Sequence, residues 1–411
     1  MRIALTAAFL LAATPAFASK TCDITALGAK GDGTTKNTAA IQHALDTCRI
    51  VDVPAGTFVT GPLTLHSKTT LNIATGGTLL GSPDIADYPK ATFARHDTVQ
   101  ALLSATNAKH VTITGGGTID GNGHVWWEYV RGAKDGGVLG NDHPRPMGIV
   151  LDHVKHARLE NITMQNAGFW QIVPYYATDV TIRNVKILAP HSPNTDAIDP
   201  FSSSHIVIDH VFSSVGDDNI AIKSGAINSP GPDAPSEYIT ITDCTFENGH
   251  GLSIGSEIAG GAHHIHAERI HFKGTDQGIR IKAARDRGND VSDISFKDIE
   301  MQDVKTAILI TEYYPKTFPE GDEAAAPITR LTPHFHDISI ENVHAVNSGS
   351  DGIIVGLPES PVLNLSLKNV HLEGHTGMRI AYAKVAFDNV SFQAAQGAKL
   401  TVLPSATVTG H

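Results

Sequence analysis

A repeated octet constrains the fold of this chain more than any other feature of its sequence. Nine segments carry apolar residues at positions 1, 3, 6 and usually 8, with a polar pair in the middle. They begin at Ala157, Val180, Ile206, Ile239, Ile265, Ile294, Ile338, Leu365 and Val385. No helical periodicity separates the octets, and a unit of this size cannot bury its own apolar face. The units must therefore stack, and we predict an all-β, right-handed parallel β-helix.

A second apolar alternation follows most octets and indicates which residues become neighbours. Aligning these strands places six residues at one position of successive coils: Asp196, Asp218, His250, Gln277, Thr306 and Asp351. Because adjacent coils lie about 4.8 Å apart, Asp196 and Asp218 should sit almost one above the other, with His250 on the next coil. Arg280 and Lys282 follow on the coil beyond. As residues i and i+2 of a strand, they face the same side.

The N-terminal part of the chain has a different pattern. Ala40, Ile41, Ala44 and Leu45 fall at helical spacing, which predicts one helix, the only substantial one, covering an end of the solenoid whose strand edges are otherwise exposed. Residues 114–145 and 313–333 are expected to be long loops. No composition break calls for a second domain, so we expect one domain over residues 19–411.

The first residues and the cysteines indicate an exported protein. Residues 1–18 combine an arginine, a short apolar run and a small-x-small motif, typical of a signal peptide cleaved after Ala18. We therefore expect a secreted or periplasmic protein. In an oxidising compartment Cys22 and Cys48 could form a disulfide and leave Cys244 alone, and three free thiols are the alternative. No cysteine spacing indicates a zinc site.

The clustered aspartates point to acid–base chemistry. Asp196 and Asp218 could deprotonate a water or hold a cation, and Asp217, one residue out of register, should point elsewhere. This division suits Asp196 and Asp218 as the base and Asp217 as the acid. Nearby negative charge is expected to raise the pKa of Asp217. Aspartate also suits turns, and for Asp199 and Asp351 we favour that structural interpretation.

The neighbouring cations and histidines refine this hypothesis. His250 is expected to hydrogen-bond to the aspartates rather than serve as a simple turn residue. Since the formal net charge is −11, Arg280 and Lys282 beside an acidic cluster favour binding of an anionic substrate, in particular an acidic sugar. The same net charge argues against nucleic acid as a partner. Most other histidines are expected to be outward-facing polar residues, and we expect no metal or cofactor.

Four short motifs resemble one enzyme family. Asn194-Thr195-Asp196, Gly216-Asp217-Asp218, Gly249-His250-Gly251 and Arg280-Ile281-Lys282 occur in the order found in glycoside hydrolase family 28, the polygalacturonases. The resemblance reaches back to the N-terminal GAKGDGTTKNTAAIQ and covers most of the chain from Cys22 to about Asn342. Two positions depart from the pattern, because Asn219 replaces a cysteine and Val173 stands where relatives often have a histidine.

The resemblance implies a role for each site residue. Asp217 would be the general acid, while Asp196 and Asp218 would activate the water that inverts the anomeric centre. The remaining roles are assistance of the acid by His250, a grip on the galacturonate carboxylate by Arg280 and Lys282, and shaping of the substrate site by Tyr314 and Asn194.

The resulting hypothesis is a secreted, monomeric polygalacturonase that hydrolyses α-1,4-galacturonosyl bonds of pectin without a metal. The form GHGLSIGSE resembles that of bacterial and exo-acting relatives, which implies exo action, while endo action stays open as an alternative. Three alternatives stay open: a hydrolase of rhamnogalacturonan or xylogalacturonan, a calcium-dependent pectate lyase, and a non-catalytic carbohydrate-binding β-helix. No membrane partner is expected.

Overall fold

A computed structural model describes residues 20–135, 144–190, 192–316, 318 and 323–410. The predicted signal segment and its cleavage site at Ala18 lie outside these residues. The described part contains 31 strands, of which 25 belong to one large sheet. The pairings between strands of that sheet are parallel, as a β-helix requires. A separate two-stranded sheet is an antiparallel hairpin formed by Lys90–Phe93 and His96–Val99.

The strands are short in the first half of the chain. They are β1 (Thr21–Asp23), β2 (Asp32–Lys36), β3 (Ile50–Val53), β4 (Gly56–Thr60), β5 (Leu63–Thr64), β6 (Thr70–Ile73), β7 (Gly77–Gly81), β8 (Lys90–Phe93), β9 (His96–Val99), β10 (Leu103–Thr106), β11 (Lys109–Thr114), β12 (Thr118–Asp120), β13 (Ile149–Asp152), β14 (Lys155–Glu160), β15 (Thr163–Gln165), β16 (Ile172–Tyr175), β17 (Thr178–Arg183), β18 (Lys186–Ala189), β19 (Ser204–Asp209), β20 (Phe212–Val215) and β21 (Ile220–Ile222).

Longer, bent strands dominate the second half. They are β22 (Ser236–Glu247), β23 (Leu252–Ile254), β24 (Ala262–Lys273), β25 (Gln277–Lys282), β26 (Asp290–Gln302), β27 (Thr306–Thr311), β28 (His334–Val355), β29 (Val362–Ala381), β30 (Ala383–Val402) and β31 (Thr407–Gly410). Two α-helices, α1 (Thr38–Thr47) and α2 (His124–Asp135), and two 3₁₀ turns, Ile24–Leu27 and Ile85–Asp87, complete the described elements.

The register of the octets is confirmed for all nine. Ala157 pairs with Val180, Val180 pairs with Ile206, and the same first position pairs from coil to coil as far as Val385. The stack also extends toward the N-terminus, because Val111 of β11 pairs with Ala157. The sequence pattern did not identify these earlier coils; between β11 and β12, for example, three glycines, Gly115 to Gly117, interrupt the octet.

The fifth residue of every octet forms the bend between its two short strands. All nine have positive φ: Asn161, Asn184, His210, Asp243, Arg269, Asp298, Asn342, Asn369 and Asn389. Asparagine and aspartate tolerate this left-handed conformation better than most residues. They also join the coils, since the side chain of Asn389 donates to that of Asn369, and Asn369 donates to Asn342, both at 3.0 Å. The apolar octet positions enter one continuous core, in which Ile239, Ile265 and Ile294 are at most 1% exposed.

The two helices give one confirmation and one correction. The predicted helix is α1, which buries Ile41, Ala44 and Leu45, while its role as a cap stays a prediction. The expectation that it is the only substantial helix, with residues 114–145 as a loop, is wrong. Helix α2 begins at His124 and buries Trp126, Trp127 and Val130. The glycines before and after this helix are typical of loops, so the short helical spacing of its apolar residues did not indicate a helix.

One register prediction is also wrong. Thr306 pairs with Ser350 and Ile308 with Gly352, so Asp351 lies one residue away from the position assigned to it. The error arose because Gly352 takes a core position that an apolar side chain occupies on the other coils. Asp351 is fully buried in β28 rather than at a turn, and burial raises its pKa to about 7.

The N-terminal segment is tied to the first coils by a disulfide. Cys22 of β1 and Cys48, directly after α1, are bonded, with their Cα atoms 6.1 Å apart. Cys244 is buried and unbonded. The structure therefore agrees with the paired arrangement rather than with three free thiols. In the part of the chain that the structure describes, no helix is both long and apolar enough to cross a bilayer.

Candidate active site

Four successive coils bring the predicted site residues together. Ile198 bridges to Ile220, Ile220 pairs with Leu252, and Leu252 pairs with Ile279. The residues two positions earlier on each coil are Asp196, Asp218, His250 and Gln277, so this part of the predicted register is confirmed. Since the coils are about 4.8 Å apart, side chains that are distant in sequence become direct neighbours.

Asp218 is a buried carboxylate that is held by cations. It is 1% exposed, and its two oxygens accept hydrogen bonds from Nη1 of Arg280 at 2.9 Å and Nζ of Lys282 at 2.8 Å. The hydroxyl of Ser253 donates a third, at 2.9 Å. A buried carboxylate of this kind is tolerated only when it is paired and hydrogen-bonded. Arg280 and Lys282 therefore neutralise Asp218 in this structure.

Asp217 points away from this pair, toward His250 and Asn194. Nδ1 of His250 lies 2.9 Å from Oδ1 of Asp217, and the amide of Asn194 donates to Oδ2 at 3.2 Å. Burial raises the pKa of Asp217, but the hydrogen bond and charge of His250, together with the charges of Lys282 and Lys223, outweigh it and leave the pKa well below its ordinary value. The expected upward shift of this pKa is therefore wrong for the site without substrate, because the sequence did not indicate how close these cations are.

The pKa of His250 is shifted in the opposite direction, upward. Burial lowers its pKa, but the hydrogen bond to Asp217 and the charges of Asp217 and Asp218 raise it above the ordinary value overall. His250 and Asp217 therefore form an ion pair that holds one proton. The prediction that His250 hydrogen-bonds to the acidic cluster is confirmed.

Glycines make this close packing possible. A Cβ atom at Gly216, directly before Asp217, would lie 1.8 Å from the backbone oxygen of Ser192. At Gly251, which has a φ of 79°, a Cβ atom would lie 2.0 Å from the backbone oxygen of Gln277. The glycines of the GDD and GHG motifs are thus required by the approach of neighbouring coils.

Lys223 is a site residue that the sequence analysis missed. It is 6% exposed, and its Nζ lies 3.5 Å from Oδ2 of Asp196, 3.8 Å from Oδ1 of Asp199 and 3.7 Å from Oε2 of Glu257. Burial lowers the pKa of Lys223, but these carboxylates raise it well above its ordinary value overall. The lysine therefore stays charged and offsets part of the negative charge at Asp196.

Asp196 and Asp199 are both buried beside this lysine. Burial and the charges of Asp199 and Asp217 raise the pKa of Asp196 well above the ordinary value, whereas Lys223 opposes that rise. Burial likewise raises the pKa of Asp199 to about 7, with Lys223 again acting in the opposite direction. The interpretation of Asp199 as a turn residue is wrong, because its side chain is fully buried under the site.

Arg145 is a second residue that the sequence analysis missed. It is 2% exposed, and its Nη1 donates to the backbone oxygen of Pro193 at 2.9 Å. Nη2 donates at 3.1 Å to Oδ1 of Asn194, the residue that holds Asp217. The guanidinium also lies 4.4 Å above the ring of Phe169, and burial lowers its pKa to about 10. Its position in a glycine-rich stretch, 49 residues before Asn194, gave no signal of this role.

The structure also distinguishes between two adjacent tyrosines. The ring centre of Tyr314 lies 5.4 Å from Cζ of Arg280 and 5.1 Å from Nζ of Lys282. Tyr313 instead is buried and packs against Phe318. Tyr314 is therefore the tyrosine next to the cationic side of the site, as the sequence analysis expected.

An aromatic cluster lies beside Asp196 and Lys223. Nζ of Lys223 lies 5.0 Å from the ring centre of Trp170, which stacks on Phe169 at 4.7 Å. Val173, at the position where a histidine was noted as common, is fully buried among apolar side chains that include Met147 and Val150. This edge of the site is therefore apolar and aromatic rather than ionisable.

The acidic residues do not form a good calcium site. Ligand atoms of Asp217, Asp218 and His250 lie within 4.8 Å of one another. However, Asp218 already receives two cationic donors, and calcium requires six to eight oxygen ligands. The same grouping suits proton transfer better, because it combines a carboxylate, Asp217, and an imidazole, His250, whose pKa values are shifted in opposite directions.

A parallel β-helix with buried aspartates of this kind defines a class of carbohydrate-active enzymes. Comparison with known proteins gives the particular family, because the sequence profile of Glycosyl hydrolases family 28 matches residues 46–393. The chain therefore belongs to glycoside hydrolase family 28. The expectation drawn from the four motifs is confirmed, and the chain is a glycoside hydrolase.

Three curated relatives bear names from this family. A probable polygalacturonase of Vitis vinifera is 31% identical over 84% of this chain and 72% of its own length. An exo-poly-alpha-D-galacturonosidase of Dickeya chrysanthemi is 29% identical over 80% of this chain and 62% of its own length. An endo-polygalacturonase of Pectobacterium carotovorum subsp. carotovorum is 30% identical over 85% of this chain and 87% of its own length.

A solved structure supports the fold independently. The family 28 exopolygalacturonase of Yersinia enterocolitica superposes with a TM-score of 0.86 over 95% of this chain and 78% of its own. The two sequences are 24% identical, so this likeness concerns the fold. The predicted parallel β-helix is thus confirmed.

Proposed function

We propose that this protein is a polygalacturonase that hydrolyses α-1,4-galacturonosyl bonds of pectin or polygalacturonate by a single displacement with inversion. The observation that carries the proposal is the junction of two sets of residues: Asp217, paired with His250, lies beside Asp218, which is paired with Arg280 and Lys282. An acid, a carboxylate for activating water and a site for a sugar carboxylate thereby meet at one place.

Asp217 is the proposed general acid. It donates a proton to the glycosidic oxygen as the bond from that oxygen to C1 breaks. Without substrate, His250 and the nearby cations lower the pKa of Asp217. A galacturonate carboxylate that binds Arg280 and Lys282 adds negative charge beside Asp217, which raises that pKa again. Substrate binding thus shifts the shared proton toward Asp217, where it is needed.

Asp218 and Asp196 are the proposed base. Asp218 accepts hydrogen bonds from Arg280 and Lys282, and Asp196 lies on the adjacent coil. A water between them would lose a proton to a carboxylate as its oxygen attacks C1 from the face opposite the leaving group. Asp199 and Lys223 stand behind Asp196 and set its charge.

Arg280, Lys282 and Tyr314 form the proposed galacturonate subsite. Nε of Arg280 is buried without a hydrogen-bond partner among the described residues, and Lys282 carries three N–H donors, more than its single bond to Asp218 uses. Tyr314 lies over both cations. The two cations can therefore hold Asp218 and receive the substrate carboxylate at the same time.

Four further properties belong to this proposal. The enzyme is exo-acting, monomeric, exported after cleavage at Ala18, and built as one catalytic domain over residues 19–411. The form GHGLSIGSE supports exo action, but the Pectobacterium relative with an endo name is as similar in sequence as the Dickeya relative with an exo name. Early product lengths decide this point, because exo action releases monomer or short products of uniform length, whereas endo action releases mixed oligomers.

The test of the proposed reaction is product analysis on polygalacturonate with excess chelator present. We expect saturated products with new reducing ends, and NMR of the first product should show the anomeric configuration opposite to that of the bond. Unsaturated products, or complete loss of turnover with chelator, would instead indicate a lyase. Rhamnogalacturonan and xylogalacturonan serve as matched substrates, and preference for either would overturn the assignment to polygalacturonate.

A further inference from the structure

A group of side chains outside the active site has the composition of a transition-metal site. Asp290 begins β26, and the residue that pairs with it on β28 is His334. His336 lies two residues further along β28, so it faces the same side as His334, while Phe335 between them enters the core. Ligand atoms of Asp290, His334 and His336 lie within 4.8 Å of one another.

Both imidazoles are oriented by a polar neighbour. Nε2 of His336 lies 2.8 Å from Oδ1 of Asp290, while its other ring nitrogen lies 2.7 Å from Oδ2 of Asp337. Nδ1 of His334 lies 3.2 Å from the hydroxyl of Ser360. In metal sites a ligating histidine usually donates its second ring N–H to a carboxylate or another oxygen, which fixes the ring. Both histidines of this group have such a neighbour.

The carboxylate is oriented in the same way. Oδ2 of Asp290 accepts a hydrogen bond from the hydroxyl of Ser292 at 2.8 Å, which leaves Oδ1 directed toward His336. His263, on the preceding coil, has its Nδ1 3.2 Å from Oδ2 of Asp290. Three adjacent coils therefore contribute to the group, and they are rigidly spaced by the sheet.

We propose that Asp290, His334 and His336 bind one Zn²⁺ ion that has no part in the hydrolytic reaction. Two imidazoles and one carboxylate are a common donor set for zinc, with water in the fourth position. The ion joins the beginnings of β26 and β28, where the backbone N–H of His334 also bonds to the carbonyl of Asn289 at 3.0 Å. Because the ligands come from separate coils, binding of the ion to the folded chain stabilises this junction.

A metal-free arrangement is the competing explanation. Protonated His336 would bridge Asp290 and Asp337 by two hydrogen bonds, and no ion would be needed. The two arrangements differ in measurable ways, because zinc displaces the proton of His336 and requires His334, whereas the hydrogen-bonded bridge does not involve His334.

The experiment uses the full chain without an affinity tag, stripped with chelator and titrated with zinc chloride in a calorimeter. We expect one Zn²⁺ per chain and a higher melting temperature in its presence. Replacing both histidines (His334→Gln with His336→Gln) should weaken binding by about 100-fold or more, since each ligand contributes to affinity. Cobalt should give the strong visible absorption of a tetrahedral complex with the wild-type chain and lose it with the double variant.

His210→Gln is the matched control. His210 lies in a comparable group with Asp209 and Asp243, which has a single imidazole. This variant should bind zinc as the wild type does. The proposal is overturned if the wild-type chain takes up no zinc, or if the double variant binds it with unchanged affinity. Hydrolysis of polygalacturonate is measured separately and is expected to continue without zinc.

Discussion

The imidazole of His250 and the carboxylate of Asp217 form an ion pair, with Nδ1 2.9 Å from Oδ1. The pair moves the two pKa values in opposite directions, downward for Asp217 and upward for His250. The proton available for the reaction is therefore lost as the pH rises through the pKa of His250, which lies above its ordinary value near 6.5. It is not lost at the pKa of a lone carboxyl group.

The first prediction follows from this pair. In His250→Gln, Asp217 must hold the proton alone, so the basic limb of the kcat/KM profile should move to lower pH. The measurement is a pH profile of hydrolysis for both proteins. His205→Gln, a replacement in an exposed histidine that stacks on Tyr238, is the control and should leave the profile unchanged. A basic limb that stays in place would show that His250 does not hold the proton.

The second prediction concerns the acid itself. Asp217→Asn keeps the size of the side chain but cannot donate a proton, so kcat should fall by roughly 10²–10⁴-fold with little change in KM. Steady-state kinetics on polygalacturonate and on a substrate with a more acidic leaving group test this. The second substrate needs less protonation and should recover much of the loss. Equal losses on both substrates would contradict the role of acid.

The third prediction concerns Lys223, which lowers the pKa of Asp196. Lys223→Met should raise that pKa further, so the acidic limb of the kcat/KM profile should move to higher pH. Removing one partner of a buried charge pair should also destabilise the fold by about 3–5 kcal/mol. Denaturant unfolding and the pH profile measure the two effects. Lys186→Met, on the exposed side of β18 above Phe212, should show neither.

The sequence predicted the fold and the motif residues because a β-helix repeats its register. Once the octets were aligned, the apolar pattern alone placed Asp196, Asp218 and His250 on adjacent coils. The same rule failed where a coil lacked its apolar residue, as at Gly352, and where glycines surrounded a short helix, as at Trp126 and Trp127.

Charge was harder to predict than position. Lys223 directly follows the apolar alternation that ends at Ile222, yet nothing in the sequence shows that its Nζ lies among three carboxylates. The pKa of Asp217 was expected to rise because only its acidic neighbours were considered, whereas His250 and Lys282 dominate. The net pKa shift depends on distances of a few ångströms between charged groups, and the strand register predicted from the sequence does not give those distances.

The fourth prediction concerns the disulfide. Cys22 and Cys48 are separated by 26 residues, and closing a loop of this length is expected to contribute about 3–4 kcal/mol to the free energy of unfolding. Replacing both by serine should lower the denaturant midpoint accordingly. Cys244→Ser removes the buried free thiol, so it is the control for replacing a cysteine that is not part of a disulfide. If reducing agent lowers the stability of the double variant as much as that of the wild type, the Cys22–Cys48 bond is not the source of the stability that the wild type loses on reduction.

The last prediction concerns Arg145, which contacts the acid only through Asn194. A lysine at this position keeps the charge but cannot donate to both Pro193 and Asn194 in the planar geometry of a guanidinium. Arg145→Lys should therefore lower kcat by about 10–100-fold while KM changes little, as expected for a residue that orients a catalytic group. Asn194→Ala removes the same connection, so the double variant should lose little more than either single variant. Additive losses would instead mean that Arg145 acts on the substrate directly, and would contradict the chain of contacts from Arg145 through Asn194 to Asp217.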